Sequence, residues 1–105
     1  MNTRSPSVVL SGDLDISGSA ALRLLLDVID APGTVDMRSV TYIDARGLSE
    51  LARVARRVGT GEVTLVVAGR NVRRVLDLVR FDELFHIVDG SRMHDHATAG
   101  VQVKA

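Results

Sequence analysis

The residues best placed to do chemistry sit at the break in VTYIDARGL, Val40 to Leu48. An apolar run ends there in Asp44-Ala45-Arg46-Gly47, so an acid, a guanidinium and a glycine meet where the chain changes direction. An aspartate just before a helical pattern is a cap. Its carboxylate accepts from backbone N–H groups that lack partners in the first turn. Gly47 suits a sharp turn or close packing. Arg46 is the anomaly, because a helix start carries partial positive charge and favours acids. It therefore needs a counter-charge, a partner surface or a bound anion. Asp13, Asp15 and Asp44 are candidates for the first. Backbone donors at the corner with a planar guanidinium fork suit a phosphate group, although the glycine-rich spacing of a nucleotide loop is missing.

Other chemistries have less support. His94-Asp95-His96 offers two imidazoles and a carboxylate, a set that suits zinc or nickel. The three are adjacent in a segment predicted to be a flexible tail, with no second ligand set, so a solvated tail is expected and no metal. His86 lies among apolar residues and reads as a half-buried structural histidine. There is no cysteine, which removes thiolate catalysis, disulfides and cysteine-ligated metals. No nucleophile–His–Asp set or carboxylate pair at helical spacing stands out, so neither an enzyme nor a cofactor is expected.

Thirteen acids balance thirteen bases, leaving no global field to recruit nucleic acid or an anionic membrane. Arg53, Arg56 and Arg57 read as a solvated face that, with Arg73 and Arg74, could meet an acidic partner. Aromatics make up 3% of the chain, too few to interleave with arginines as single-strand binding requires. No apolar run reaches the ~18–20 residues of a membrane span, and MNTRSPS has no signal-peptide core. A cytoplasmic protein without direct membrane insertion is expected.

The elements that position the corner follow from periodicity. Val8-Val9-Leu10 starts a strand that Gly12 is expected to end. From about Ser19 to Asp30, Leu22, Leu25, Leu26 and Ile29 recur on one helical face, and Pro32-Gly33 stops the chain beyond it. Leu24 and Val28 lie off that face; burial is the favoured reading, a sticky patch the alternative. Thr34–Met37 and Val40–Ile43 read as short strand segments separated by a polar bend. Leu48, Leu51, Ala52, Ala55 and Val58 share a second helical face, stopped at Gly59 and Gly61. Glu62 to Ala68 is the clearest strand, apolar enough to be covered on both faces. Val72, Val75, Leu76 and Val79 mark a third helix. Phe81 to Phe85 turns the chain, with Asp82 and Glu83 capping or solvating that turn, and His86-Ile87-Val88 is a last strand. Residues 91–105 are expected to fray, with Val101-Gln102-Val103 a possible edge strand. Alternation of this kind predicts an α/β domain: a small mixed sheet of four to five strands covered by three to four helices.

Five stretches in this order resemble the STAS domain of bacterial anti-sigma factor antagonists, and the resemblance covers residues 8–90. Val8 to Asp15 is similar to the family's opening strand and its Gly-Glu-Leu-Asp corner. Val35 to Asp44 resembles its central strand, and Asp44 to Leu48 sits where the family has Asp-Ser-Ser-Gly-Leu. Val63 to Gly69 with Val72 to Leu76 resembles its next strand and helix. Phe81 to Phe85 resembles its Gly-Leu-Asp-Glu-Leu-Phe ending, with Arg80 in place of a helix-ending glycine. The family usually has a further short strand before the opening one, and here the chain is expected to lack it.

The resemblance implies partner switching. An unmodified antagonist binds a kinase-type anti-sigma factor and frees the sigma factor, and phosphorylation of a corner serine ends the binding. On that reading the partner-binding residues are Asp13, Asp15, Ser17, Asp44, Ala45, Arg46, Gly47, Leu48 and Ser49, with Leu48 the family's buried leucine. Ala45 replaces the first serine and Arg46 the phosphorylated one, so the corner has no hydroxyl to take a phosphoryl group. Ser49, Ser39, Thr41 and Ser17 are the hydroxyls expected nearby, Ser49 being a weak alternative acceptor. The rival readings are a STAS accessory or scaffold subunit of a transporter ATPase or signalling complex, and a nucleotide sensor at Arg46.

Overall fold

The computed structural model describes residues 5–91 and the backbone of Val101–Gln102. In chain order they form β1 (Ser7–Leu14), a 3-10 turn (Ile16–Gly18), α1 (Ser19–Leu26), β2 (Thr34–Ile43) and α2 (Ala45–Val58). After these come β3 (Thr64–Val67), α3 (Arg70–Leu78), a second 3-10 turn (Phe81–Glu83), β4 (His86–Asp89) and β5 (Val101–Gln102). The strands lie in the order β4-β3-β2-β1-β5. Every described pairing is parallel, so the sheet is not mixed as expected. The cause is the connectivity: between β1 and β4 every link is a helical crossover, which returns the chain to the same end of the sheet. The edge strand expected at Val101-Gln102 is present beside β1, whereas residues 92–100 and 103–105 of the expected fraying tail lie outside the described residues.

Register explains where the core sits. Val8, Val35, Leu65 and Ile87 align across four strands, and the helices pack on this row through Leu22, Leu26, Leu51, Val54, Val72 and Leu76. The next row is Val9, Asp36, Val66 and Val88, on the opposite face. β3 is buried at Leu65, Val66 and Val67 in succession, as expected for a strand covered on both faces.

Several boundaries differ from expectation. β1 does not end at Gly12 but runs through it at φ 78° to Leu14, a backbone conformation glycine adopts without penalty. The two expected segments of β2 are one strand with two extra residues against β1, beyond Asp36 and beyond Val40. At the first bulge the Asp36 carboxylate accepts from the Arg38 N–H at 3.0 Å, satisfying a donor where the ladder is interrupted. α1 stops at Leu26 rather than near Asp30. Past it, Arg57 of α2 donates to the carbonyls of Leu26 and Ile29, both at 2.9 Å, so Arg57 is a cap and not part of a merely solvated face. Leu24 and Val28 are exposed, not buried, because α1 turns Leu22, Leu26 and part of Leu25 inward and ends before Val28. His86 is exposed rather than half-buried, since β4 is an edge strand.

Candidate functional site

The corner is built as the sequence implied. Asp44 is extended backbone immediately before α2, and its Oδ1 accepts from the N–H groups of Arg46 at 3.0 Å and Gly47 at 3.1 Å. Its other oxygen does something the sequence did not announce: Oδ2 accepts from the Ile16 N–H at 3.3 Å. One carboxylate thus ties the first turn of α2 to the turn after β1. The Asp44 N–H donates to the Leu14 carbonyl at 3.1 Å, closing the same junction through the backbone.

Gly47 is buried because α2 comes down onto the end of β1. A Cβ at Gly47 would overlap the Leu14 carbonyl oxygen and crowd Ile43. The constraint here is space, not a positive φ. Leu48 is half-buried rather than buried. The core-facing side of α2 is instead Gly47, Glu50, Leu51, Val54 and Ala55, displaced slightly around the helix from the expected face.

The expected acids each hold a local structure. Asp13 accepts from the Thr41 hydroxyl at 3.1 Å. Asp15 caps the 3-10 turn, accepting from the Ser17 N–H at 3.1 Å and the Ser17 hydroxyl at 2.6 Å. The Ser17 hydroxyl bond, with backbone N–H donors beyond it, holds the Asp15 carboxyl below the ordinary carboxylate range. Two of the four nearby hydroxyls, those of Ser17 and Thr41, are therefore engaged as donors. Ser39 and Ser49 are exposed.

Arg46 is not neutralised by these acids. It is exposed, and among the described residues its side chain makes no hydrogen bond or ion pair with Asp13, Asp15 or Asp44. It lines a shallow hollow of about 400 Å³ with Ser19, Ala20, Arg23, Leu24 and Glu50, so the corner and α1 share one surface. The acid it does influence is Glu50, which sequence reasoning missed. Glu50 is only 3% exposed. Arg23 grips it with both ends of its fork, Nε to Oε1 and Nη2 to Oε2 at 3.1 Å each, and Arg53 stands 3.5 Å away. The Arg23 hydrogen bond outweighs burial in holding the Glu50 carboxyl below its usual range, with Arg53 and Arg46 adding to it. The signal was available: Glu50 lies three residues after Gly47 and four before Val54, on the inward face.

A second missed pair is Asp36–Arg38. Burial pushes the Asp36 carboxyl up, but the Arg38 guanidinium, 2.7 Å away at its closest, and the Arg38 N–H together hold it below the ordinary range. This pair lies on the sheet face opposite the helices and contributes nothing to the corner. His94-Asp95-His96 lies outside the described residues. Among the described residues no group of three His, Asp or Glu side chains converges on a metal position, and no helix is long and apolar enough to cross a membrane.

The arrangement has the chemistry of a recognition surface: a rigid capped helix start, an unpaired guanidinium, and exposed apolar side chains at Ile16 and Leu24. A family model described as "Mlab, STAS domain" matches residues 1–89. No curated protein matches the chain significantly.

Proposed function

We propose, from the premise that the chain belongs to the STAS-domain family, whose members are protein-interaction modules, that it docks a partner through its Asp44 corner and cannot be released by phosphorylation there. The partner is a kinase-type anti-sigma factor, whose capture frees a sigma factor. One observation carries the reading: Arg46 stands exposed in the first turn of α2, where this family's antagonists carry the phosphorylated serine, and its guanidinium has no ion-pair partner among the described residues. A phosphate adds about −1.5 to −2 charge at pH 7, and neither Ala45 nor Arg46 has an oxygen to receive it. Control then falls to protein abundance or to the partner.

The test mixes the protein with its cognate anti-sigma kinase and ATP and reads intact mass. The wild type keeps its mass, whereas Arg46→Ser gains a phosphoryl group. A stoichiometric gain by the wild type overturns the reading, and mapping it to Ser49 would locate a displaced switch. Capture of the kinase should weaken with Arg46→Glu and stay unchanged with Arg56→Glu.

The absent hydroxyl favours a second reading: an accessory or scaffold subunit that remains on a transporter ATPase or signalling complex without switching. Copurification with an ATPase subunit, without binding to any anti-sigma factor, would select it.

A further inference from the structure

The most apolar exposed surface away from the corner lies along α3. Leu78 is 72% exposed and Tyr42, at the end of β2, is 53% exposed. With Ile43 and Val75 they line a groove of about 330 Å³, and at Arg74 and Leu78 it meets a larger hollow of about 620 Å³ beside Gly69 and Arg70. Arg70, Arg74 and Leu78 recur at i, i+4 and i+8, so they form one ridge along the helix.

Charge on that ridge is unbalanced. Arg73 is paired to Asp77 at 3.0 Å. Arg70 and Arg74 make no hydrogen bond or ion pair among the described residues. Like charges one turn apart repel each other, and a carboxylate brought between them would remove that repulsion. Apolar side chains next to unpaired cations call for an occupant with the inverse pattern.

We propose that this groove is a second docking surface, and that its occupant is an acidic amphipathic segment of a partner protein. Apolar side chains of the segment cover Leu78, Val75 and the Tyr42 ring, and its carboxylates face Arg70 and Arg74. The chain's own residues 91–105 are the wrong complement, since Asp95 is their sole acid against Arg92 and Lys104. Nucleic acid is disfavoured because Tyr42 is the groove's one aromatic, while Phe81 and Phe85 pack together with ring centres 5.6 Å apart, leaving no stacking platform.

The test titrates the isotope-labelled full chain with two synthetic helical peptides sharing one Leu/Phe face, one flanked by Glu and the other by Lys, and with an oligo-dT strand. The Glu peptide alone should shift the backbone resonances of Tyr42 and Asn71 to Leu78 saturably, and added salt should weaken it. Arg70→Glu with Arg74→Glu, in a protein that melts at an unchanged temperature, should weaken it by about tenfold and admit the Lys peptide. Leu78→Ser should weaken it without that reversal. Equal response to the Lys peptide, tighter binding of the oligonucleotide, concentration-dependent shifts without peptide that indicate a second copy, or no saturable shift in the groove overturns the proposal. Because the readouts from Asn71 to Leu78 map to α3, failure of the Asp44 corner as a docking site would leave them unchanged.

Discussion

The carboxylate of Asp44 holds Ile16 and the first turn of α2 at once, accepting from the Ile16 N–H at 3.3 Å through one oxygen and from Arg46 and Gly47 through the other. An ordinary cap would need only one oxygen. The bridging oxygen fixes the turn after β1, and with it Asp15, Ser17 and the exposed Ile16, relative to Arg46.

Replacing Asp44 separates the two roles. Asp44→Ala should cost about 1–2 kcal/mol, the usual loss for a removed cap, in urea unfolding. Asp44→Asn keeps one accepting oxygen for α2 but sets an amide donor beside the Ile16 N–H, so it should cost less overall yet speed hydrogen exchange at Ile16. Equal exchange at Ile16 in Asp44→Asn and wild type would show that the bridge does not hold the turn.

Gly47 makes a sharper prediction, because its constraint is the Leu14 carbonyl rather than backbone angle. Backbone cannot yield as a side chain does, so Gly47→Ala should cost roughly 1–3 kcal/mol as overpacking. Gly18→Ala meets nothing within 4 Å and should change stability by less than about 0.5 kcal/mol. Similar melting temperatures for the two variants would contradict the close approach of α2 to β1.

At the end of α3, Arg80 adopts φ 62° and ψ 39°, the left-handed conformation that glycine normally supplies. Its guanidinium pairs with Glu83 at 2.9 Å and approaches Asp82 at 3.8 Å, both exposed contacts of small worth. Arg80→Ala loses the pairs and keeps the strain, whereas Arg80→Gly loses the pairs and relieves it. Gly should therefore exceed Ala in unfolding free energy by about 1 kcal/mol. No difference between them would mean the backbone relaxes elsewhere.

The helical stripes and the strand of residues 64–67 were legible because burial on one or both faces writes a period into the residues themselves. The same reading failed at Leu24 and Val28, where a wide apolar stripe was read as burial. Stripe width does not reveal that α1 has only two turns, or that Arg57 closes its end from another helix. Asp44 was legible as a cap because capping is local. Its hold on Ile16, 28 residues away, was not, and the same holds for Glu50 with Arg23, 27 residues apart. Arg46 shows the other limit: its sequence neighbours suggested neutralising acids, but Asp44 accepts from backbone N–H groups, Asp15 from Ser17 and Asp13 from the Thr41 hydroxyl.

The Glu50 and Asp36 carboxyls determine how stability should respond to acid. Both are held below their ordinary values of 4.5 and 3.8 by arginines that outweigh burial. The unfolded chain therefore takes up protons at higher pH than the folded protein. The stabilisation from these groups is complete above the ordinary values and is lost as pH falls through the lower folded ones. Unfolding free energy measured by urea from pH 6 downward should be flat at first, then decline below about pH 4.5. Glu50→Gln removes one of the lowered carboxyls, leaving Asp36 and the exposed Asp15, and should make that decline shallower while lowering stability at neutral pH. Arg23→Ala should lower stability at neutral pH by less than the loss of one partner of a fully buried pair would, because Arg23 is 48% exposed and Arg53 remains. Identical acid slopes in Glu50→Gln and wild type would mean that the Arg23 fork does not set the Glu50 proton equilibrium.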